Sequence, residues 1–440
     1  MMSIPQGLPC KDNLHTQFRG SISSTETPKQ SALRHVDVGK FVDELKSAGV
    51  SLFTGVPDSL LKSFCAYVTD NCGGDHVIAA NEGGAVGLAA GHYLATGKPA
   101  LVYMQNSGQG NAVNPLCSLA DPDVYAIPMV LLVGWRGEPG VKDEPQHVKQ
   151  GKVTLSLFET LGIPTEILPD DDESAADVTR KMVEKAKTKS RPVALIVRKG
   201  LFAEYKLQNK KPDIAVLPRE QTIEGVLRAL PEDAVVVSTT GMISREVYET
   251  RERLGQDHSR DFLTVGSMGH ASMIAMGIAK AQPERKVYCF DGDGASIMQM
   301  GNMAIVGRSG CENLTHIVFN NAAHDSVGGQ PTVGGDIDFE KIAEELGYNV
   351  LQSPQDQYVN SDGIGVAEVA SGMHWLVTME EQSKQYKPDY YDELPKKPNF
   401  ILFKVAKGAR KDLGRPKEPP QVNKALYMKT LGSQDQSQRK

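Results

Sequence analysis

The stretch FDGDGASIMQMGNMAIVGRSGCENLTHIVFNNAAHDS, residues 290–326, contains two short apolar runs that each end in polar residues. The first run leads into Asp-Gly-Asp-Gly, with Asp293 as its second aspartate, and the second ends in Asn320-Asn321. Apolar runs of this length are typical of buried parallel strands, whose carboxyl ends lie at one edge of the sheet. The carboxylate of Asp293 and the amide oxygen of Asn321 are hard ligands, so this edge is predicted to hold a small, hard cation.

Residues 295–309 are predicted to form a helix whose first backbone amides face a bound phosphate. Magnesium would be held by Asp293, Asn321, the backbone carbonyl of Ala323 and two phosphate oxygens. Two ordinary turns are the alternative, because Asp, Gly and Asn are common turn residues. A dinucleotide-binding G-x-G-x-x-G motif is excluded, because Ile297 stands at its third glycine position.

Short apolar runs alternate with helix-length segments from residue 36 onward, which predicts mostly parallel sheets flanked by helices. In the first half of the chain, strands are predicted to begin at Ser51, His76, Ala100, Met129 and Pro192, with a helix over residues 83–96. In the second half, they are predicted to begin at Ala234, Phe262, Lys286, His316 and Phe400. The fold class is therefore α/β, with two domains.

The domain boundaries follow from where this alternation stops. The first domain is predicted to span residues 36–200, a linker residues 201–219, and the second domain residues 220–412. Residues 1–35 are rich in Ser, Thr, Gln and Pro and are interpreted as a disordered extension, with a mitochondrial transit peptide as the alternative. Residues 413–440 are interpreted as a polar tail. Within residues 352–398, a pattern that begins at Val366 is compatible with one helix.

Composition excludes several classes of protein. The 440 residues carry a net charge of -6, which gives no reason to expect nucleic acid as a partner. No apolar stretch approaches the roughly 20 residues of a membrane span. The six cysteines are scattered without a C-x-x-C pair, which is typical of a reducing compartment. A cytoplasmic location is predicted, with a mitochondrial one as the alternative.

The spacing of Gly-Asp-Gly and Asn-Asn resembles the signature of the thiamine diphosphate-dependent enzymes. This resemblance implies thiamine diphosphate and Mg²⁺ as cofactors, a pyrimidine-binding first domain and a diphosphate-binding second domain. It also requires a catalytic glutamate from the first domain, a place that Glu82 in NEGGAVGLAAGHYLATGK fills. The alternative for Glu82 is an acid favoured at a helix N-terminus. By the same resemblance, the cofactor-binding residues are Glu82, Gly266, Met268, Gly292, Asp293, Gly294, Ala295 and Asn321.

This chain has only a linker between its two predicted domains, and in this it resembles the phosphonopyruvate decarboxylases and the related sulfopyruvate decarboxylases. The motifs that carry this likeness include GVPDSLLK, MQNSGQGNAVNPL, GWRGEPGVKDEPQHVKQG, TTGMISRE and KGARKDLGRP. The resemblance implies a carboxy-lyase that converts 3-phosphonopyruvate to phosphonoacetaldehyde and carbon dioxide in 2-aminoethylphosphonate biosynthesis. It also implies a homo-oligomer with active sites at subunit interfaces. Ala322 departs from the family pattern, which usually has glycine there, and residues 352–398 do not match the family's short connection.

Phosphonopyruvate carries two acidic groups, so its site needs cations and hydrogen-bond donors, and arginine suits oxyanions. Candidate substrate-binding residues are Asp58, Ser59, Gln105, Asn106, Arg136 and Arg410. His324 is the preferred acid–base candidate because histidine titrates near neutral pH, and Asp325 beside it is a second proton-transfer candidate. The alternative for each residue alone is a cap, a turn or a solvated surface position.

Two competing functions stay open. A sulfopyruvate decarboxylase would use the same chemistry on a sulfonate, but its two halves are often separate chains, so their fusion favours the phosphonate enzyme. A non-catalytic cofactor-binding scaffold protein is the other alternative. Retention of Glu82, Asp293 and Asn321 argues against it.

Overall fold

The protein is described by a computed structural model over residues 35–355, 365–385 and 396–433. Each half of the chain forms one sheet of six parallel strands, which confirms the predicted fold class. In the order β2-β1-β3-β4-β6-β5, the first sheet contains β1 (Leu52–Gly55), β2 (His76–Ile78), β3 (Ala100–Gln105), β4 (Met129–Gly134), β5 (Thr165–Ile167) and β6 (Pro192–Val197).

The second sheet has the order β13-β14-β10-β9-β7-β8. Its strands are β7 (Val235–Ser238), β8 (Asp261–Leu263), β9 (Val287–Gly292), β10 (Leu314–Asn320), β13 (Asn349–Val350) and β14 (Asn399–Lys404). A short antiparallel pair, β11 (Ala323–His324) and β12 (Gln330–Pro331), follows β10. Phe319 is paired with Gly292 in the parallel register of β9 and β10, so the two motifs that end these strands lie side by side.

Helices cover both faces of each sheet. The first half contains α1 (Val38–Ser47), α2 (Lys62–Asn71), α3 (Glu82–Thr96), α4 (Gln109–Pro115), α5 (Pro145–Thr160) and α6 (Asp172–Lys189). The second half contains α7 (Arg219–Ala229), α8 (Met242–Leu254), α9 (Ala271–Ala281), α10 (Asp293–Met298), α11 (Met300–Gly307), α12 (Phe339–Leu346), α13 (Val366–Gln385) and α14 (Pro420–Thr430).

The cores explain why the strands read as continuous apolar runs. Every residue of β4 is buried, because helices cover both faces of the sheet. Phe41 and Phe64 pack on one face of the first sheet, and Ala85 and Phe158 pack on the other. Two further apolar clusters enclose the second sheet in the same way.

The prediction of one helix over residues 295–309 is wrong. Helix α10 ends at Met298 and α11 begins at Met300, because Gln299 adopts φ -132° and ψ 48° between them. The side chain of Gln299 packs against Gly269, where an added Cβ would lie 2.6 Å from its Cγ. This contact joins the helix break to the loop that follows β8.

The stretch after residue 412 is not only a polar tail, because it contains α14. Strand β8 lies at the edge of its sheet and leaves backbone groups to be satisfied. The Asn423 side chain donates to the Asp261 carbonyl at 2.8 Å and accepts from the Leu263 amide at 3.2 Å. One helix therefore covers the open edge of the second sheet.

The remaining segment predictions have different outcomes. A helix that begins at Val366 is confirmed, and Val369 of α13 packs against Gly225 of α7. Residues 1–34 of the predicted N-terminal extension lie outside the described residues. Across the described ranges, no helix combines the length and the apolar character needed to cross a membrane.

Candidate active site

Asp293 begins α10 directly after β9 and is only 3% exposed. Its carboxylate accepts hydrogen bonds from the Thr332 hydroxyl and from the backbone amides of Gly294 and Asn321. Burial raises the pKa of this carboxyl group to about 6. No cationic side chain among the described residues forms an ion pair with it. A buried carboxylate without a cation favours occupation by a metal ion.

Asn321 is held so that its oxygen and its amino group point to different partners. Its Nδ2 donates to Asp325 Oδ2 at 2.5 Å, and its Oδ1 accepts from the Ala323 amide at 3.0 Å. Ala322 between them adopts a positive φ of 54°, a conformation in which glycine is less strained. The neighbouring Asn320 donates to the Gly334 carbonyl at 2.7 Å and supports the loop. The Asn321 backbone amide donates to Asp293, and the Asn320 side-chain oxygen also lies near the Asp293 carboxylate, because both flank Gly334.

Asp325 takes part in a buried ionic network. Its Oδ2 accepts from Arg219 Nη1 at 3.3 Å and from the Gly408 amide at 2.9 Å, besides the bond from Asn321. Arg219 also binds both carboxylate oxygens of Glu246, at 2.7 and 3.0 Å. With its carboxylate occupied in this way, Asp325 is better suited to positioning Asn321 than to the proton transfer that we predicted for it.

His324 lies against the Gly-Asp-Gly turn. An added Cβ on Gly294 would lie 3.3 Å from His324 Cε1, so the ring packs directly on the turn. Burial lowers the pKa of His324 to about 4. The ring is therefore neutral at neutral pH and is suited to accept a proton rather than to donate one as an imidazolium. Its catalytic role stays a prediction.

Glu82 is the first residue of α3 and is 4% exposed. The helix begins here because the Asn81 side chain accepts from the Gly84 amide at 2.9 Å. Glu82 Oε2 accepts from Asn111 Nδ2 at 2.7 Å. An added Cβ on Gly108 would lie 2.1 Å from Glu82 Oε1, so a side chain at position 108 would displace the Glu82 carboxylate. Asn81 Nδ2 also donates to the Met298 carbonyl at 3.3 Å, which joins the start of α3 to the end of α10.

The loop after β8 has an unusual backbone. Gly266, Ser267 and Gly269 all adopt positive φ angles, of 74°, 49° and 85°. The Gly266 amide donates to Thr240 Oγ1 at 3.0 Å, and Gly266 lies against Gln146 of the first domain. Met268 is partly exposed in this loop, and Ala295 is buried in the first turn of α10. The Gly266 and Met268 roles stay predictions, but their loop lies where the two domains meet.

Comparisons with known proteins identify the two halves. Residues 39–156 match the thiamine pyrophosphate enzyme N-terminal TPP binding domain, and residues 239–368 match the C-terminal TPP binding domain. The chain belongs to the thiamine pyrophosphate enzyme family. Thiamine pyrophosphate is another name for thiamine diphosphate.

Curated relatives show which group of the family this chain is similar to. A phosphonopyruvate decarboxylase of Streptomyces viridochromogenes is 30% identical over 400 residues, which cover 88% of this chain and 92% of the relative. One of Streptomyces hygroscopicus is 34% identical over 327 residues, 70% of this chain and 79% of the relative. A sulfopyruvate decarboxylase of Methanosarcina acetivorans is 28% identical over 330 residues, 70% of this chain and 82% of the relative. The chain is thus a thiamine pyrophosphate enzyme of the decarboxylase group, whose members are carboxy-lyases.

Arg136 was predicted to bind the substrate of this thiamine pyrophosphate enzyme, but its guanidinium group is already hydrogen-bonded to other side chains. Its Nε and Nη2 donate to the two carboxylate oxygens of Asp143 at 2.8 and 2.5 Å, and its Nη1 donates to Ser59 Oγ at 2.7 Å. Asn106 is fully buried and its amide group bonds to Thr154 and to the Arg136 backbone. These contacts indicate that Arg136 and Asn106 build the loop after β4 rather than meet the substrate directly.

The other predicted substrate-binding residues differ in burial and in the partners that their side chains already have. Asp58 is fully buried under the end of β4, and burial raises its pKa to about 6. Gln105 is partly exposed and donates to Ser107 Oγ at 2.5 Å. Arg410 is bound by Glu220, Glu249 and Asp412. Of this set, Arg410 is the least suited to bind an added anion, because carboxylates already surround it.

Thr332, which holds the Asp293 side chain, was missed by the sequence reasoning. Its hydroxyl bonds to the Asp293 carboxylate across 39 residues of sequence. No local pattern relates two positions that far apart.

Proposed function

We propose that this chain decarboxylates 3-phosphonopyruvate to phosphonoacetaldehyde and carbon dioxide, with thiamine diphosphate and Mg²⁺ as cofactors. The observation that carries the proposal is a buried Glu82 in one domain and a buried, cation-free Asp293 in the other, joined through the contact of Asn81 with Met298. The two Streptomyces relatives support the choice of substrate. The reaction would belong to phosphonate biosynthesis.

The residues present fit a divalent cation. Asp293 contributes a carboxylate that no described side chain neutralises, and Asn321 contributes an amide oxygen whose orientation Asp325 fixes. The Ala323 carbonyl would be the third protein ligand, as predicted. Oxygen ligands of this kind match the preference of Mg²⁺. A metal ion here would offset the cost of burying the Asp293 charge.

The residues also fit the thiamine group. When bound, this cofactor supplies an electron sink for the electrons released as carbon dioxide leaves. Glu82 would share a proton with the pyrimidine ring of the cofactor, and Gly108 leaves its carboxylate the space to do so. The neutral imidazole of His324 beside Gly294 would accept or relay a proton near the reacting carbon.

Sulfopyruvate is the alternative substrate, and the fused chain does not exclude it. The Methanosarcina acetivorans sulfopyruvate decarboxylase matches this chain over 82% of its own length, so it also carries both halves. The argument from fusion made on the sequence therefore loses its force. What still favours phosphonopyruvate is the higher identity, 30–34%, of the phosphonopyruvate relatives.

A direct comparison of both substrates tests the proposal. Purified protein saturated with thiamine diphosphate and Mg²⁺ would be given phosphonopyruvate and sulfopyruvate in separate reactions, and carbon dioxide release would be followed. We expect kcat/KM to be at least about tenfold higher for phosphonopyruvate, the equivalent of about 1.4 kcal/mol in transition-state binding. A higher value for sulfopyruvate would assign the chain to the alternative, and no release from either would leave the scaffold interpretation.

A further inference from the structure

Three side chains of types that commonly bind metal ions lie together inside the second sheet. Cys289 and Asp291 stand two residues apart on β9 and therefore point to the same face of the sheet. His316 is paired with Cys289 in the parallel register of β9 and β10, so its side chain lies beside theirs. The ligand atoms of the three residues all lie within 4.8 Å of one another.

This group is polar, but apolar side chains enclose it. Cys289 and His316 are fully buried, and Asp291 is 1% exposed. The His316 ring packs against the rings of Tyr348 and Phe400, with centroids 6.0 and 5.8 Å away. Among the described residues, no lysine or arginine forms an ion pair with Asp291. A carboxylate buried in this way needs a cation or strong hydrogen bonds to offset the loss of water.

The hydrogen bonds of the group leave two atoms facing each other. Asp291 Oδ1 accepts from the Gly292 amide at 3.0 Å, and His316 Nδ1 lies 3.3 Å from the Tyr348 hydroxyl oxygen. The remaining atoms, Asp291 Oδ2 and His316 Nε2, are 3.5 Å apart, and Nε2 has no hydrogen-bond partner among the described residues. Two ligand atoms of one tetrahedral Zn²⁺ ion are about 3.4–3.6 Å apart, since each bond is about 2.0–2.3 Å long. The contact of Nδ1 with Tyr348 is of the kind that orients a metal-binding histidine.

We propose that Cys289, Asp291 and His316 bind a Zn²⁺ ion that joins β9 to β10. A thiolate, an imidazole and a carboxylate are typical ligands of Zn²⁺, whereas Mg²⁺ takes oxygen ligands. The thiol proton of Cys289 is released to solvent on binding. The thiolate and the carboxylate then balance the two charges of the ion, so the complex is neutral and suits a buried position. Because the two strands lead into Asp293 and Asn321, the ion would hold together the strands that carry the proposed magnesium ligands.

A cobalt spectrum tests the proposal, because a bond between Co²⁺ and a thiolate absorbs by charge transfer and Co²⁺ bound to oxygen alone does not. The full chain would be produced in cells grown with Co²⁺ in place of Zn²⁺. It would be purified with thiamine diphosphate and excess Mg²⁺, which occupies the oxygen ligands of the candidate active site. We expect the charge-transfer band in this protein, and about one Zn²⁺ per chain in protein from cells grown with zinc. A wild type without the band, or with far less than one Zn²⁺ per chain, would overturn the proposal.

Single substitutions test which residues bind the ion. Cys289→Ala should abolish the band and weaken zinc binding by at least about tenfold in competition with a chromophoric chelator, since even a residue that only supports a metal ligand is worth that much. Cys311→Ala is the matched control and should keep both, because Cys311 is buried in the same apolar cluster but is not one of the three ligand residues. If Cys289→Ala does not fold, Asp291→Asn, which keeps the shape of the side chain, decides by the loss of zinc affinity. Zinc affinity equal to that of the wild type in the deciding variant would contradict the assignment.

Discussion

Glu82 is the residue on which the catalytic proposal depends. Its carboxylate is buried at the start of α3, with one hydrogen bond from Asn111 and a glycine facing its other oxygen. A helix-terminal acid that only favours the helix dipole is usually exposed, as Glu173 is in the first turn of α6. The burial of Glu82 therefore supports a chemical role over a purely helical one.

Replacement of Glu82 by Gln should separate cofactor binding from cofactor activation. The amide keeps the size and much of the hydrogen bonding but cannot share a proton with the pyrimidine ring. We expect Glu82→Gln to bind thiamine diphosphate within about tenfold of wild type, yet to exchange the thiazolium proton at least about 10²-fold more slowly by NMR. Glu173→Gln is the control and should exchange normally. Normal exchange in Glu82→Gln would reduce Glu82 to a helix-terminal acid.

Ala322 makes a second prediction at the residue scale. A φ of 54° costs a residue with a Cβ about 1–2 kcal/mol, and glycine would avoid this strain. Glycine also makes the unfolded chain more flexible, which offsets about 0.5–1 kcal/mol of that gain. Ala322→Gly should therefore raise the Tm of the second domain by about 2 °C. Ala323→Gly, one residue further in β11, is the control and should lower it. An unchanged or lower Tm for Ala322→Gly would show that the loop gains nothing from the glycine usual in the family.

At the scale of elements, the sequence predicted those strands that a local run of apolar residues determines. Ten strands were placed within about two residues, since buried parallel strands are continuous apolar runs between turn residues. The strands β5 and β13 were missed because neither is a continuous apolar run: their residues are TEI and NV, and neither is fully buried. The break at Gln299 was missed because the residues around it show no break in the helical pattern, while Gln299 itself packs on Gly269 of a separate element.

The side-chain partners of the site were harder to predict for the same reason. Arg136 and Arg410 seemed free in the sequence, yet Glu220 binds Arg410 from 190 residues away. Glu249 stands where a helical partner of Arg245 is expected, yet its carboxylate pairs with Arg410 instead. Which charge stays uncompensated depends on tertiary contacts that no local pattern reveals.

The ion pairs of Arg219 connect three elements and are predicted to stabilise the second domain. Arg219 at the start of α7 joins Glu246 of α8 to Asp325 beyond β10. Arg219→Met should cost about 3–5 kcal/mol of unfolding free energy, because two buried carboxylates lose their partner. It should also weaken Mg²⁺ binding, since Asp325 would no longer be held against Asn321. Calorimetry and thermal unfolding measure both effects.

Arg228→Met supplies the comparison on the same helix. Arg228 is exposed and pairs with Glu224 at i,i+4, so its loss should cost no more than about 0.5 kcal/mol. Equal destabilisation by the two variants would contradict a buried network at Arg219.

At the scale of the whole molecule, the two domains contact each other at the candidate site. Asn81 bonds to Met298, Gln146 lies against Gly266, and Arg415 pairs with Glu144. Helix α3 also leaves apolar surface uncovered, with Leu94 72% exposed. A subunit contact would cover this side chain, and the homo-oligomer stays a prediction.

Mixing two inactive variants tests whether subunits share a site. If the sites lie at subunit interfaces, as predicted, Glu82→Gln and Asp293→Ala should regain some activity after subunit exchange, because one hybrid site keeps both intact residues. Each variant alone, carried through the same exchange, is the control. No recovery between subunits that demonstrably exchange would mean that each site is built within one chain, as the contact of Asn81 with Met298 would allow.

The central claim is that this chain removes carbon dioxide from phosphonopyruvate with thiamine diphosphate and a divalent cation. The most direct measurement follows phosphonopyruvate by ³¹P NMR in the presence of purified protein, thiamine diphosphate and Mg²⁺. We predict that the substrate resonance is replaced by that of phosphonoacetaldehyde, and that omission of thiamine diphosphate or chelation of the metal stops the conversion. Persistence of the substrate resonance in the complete mixture, or its conversion without thiamine diphosphate, would contradict the claim.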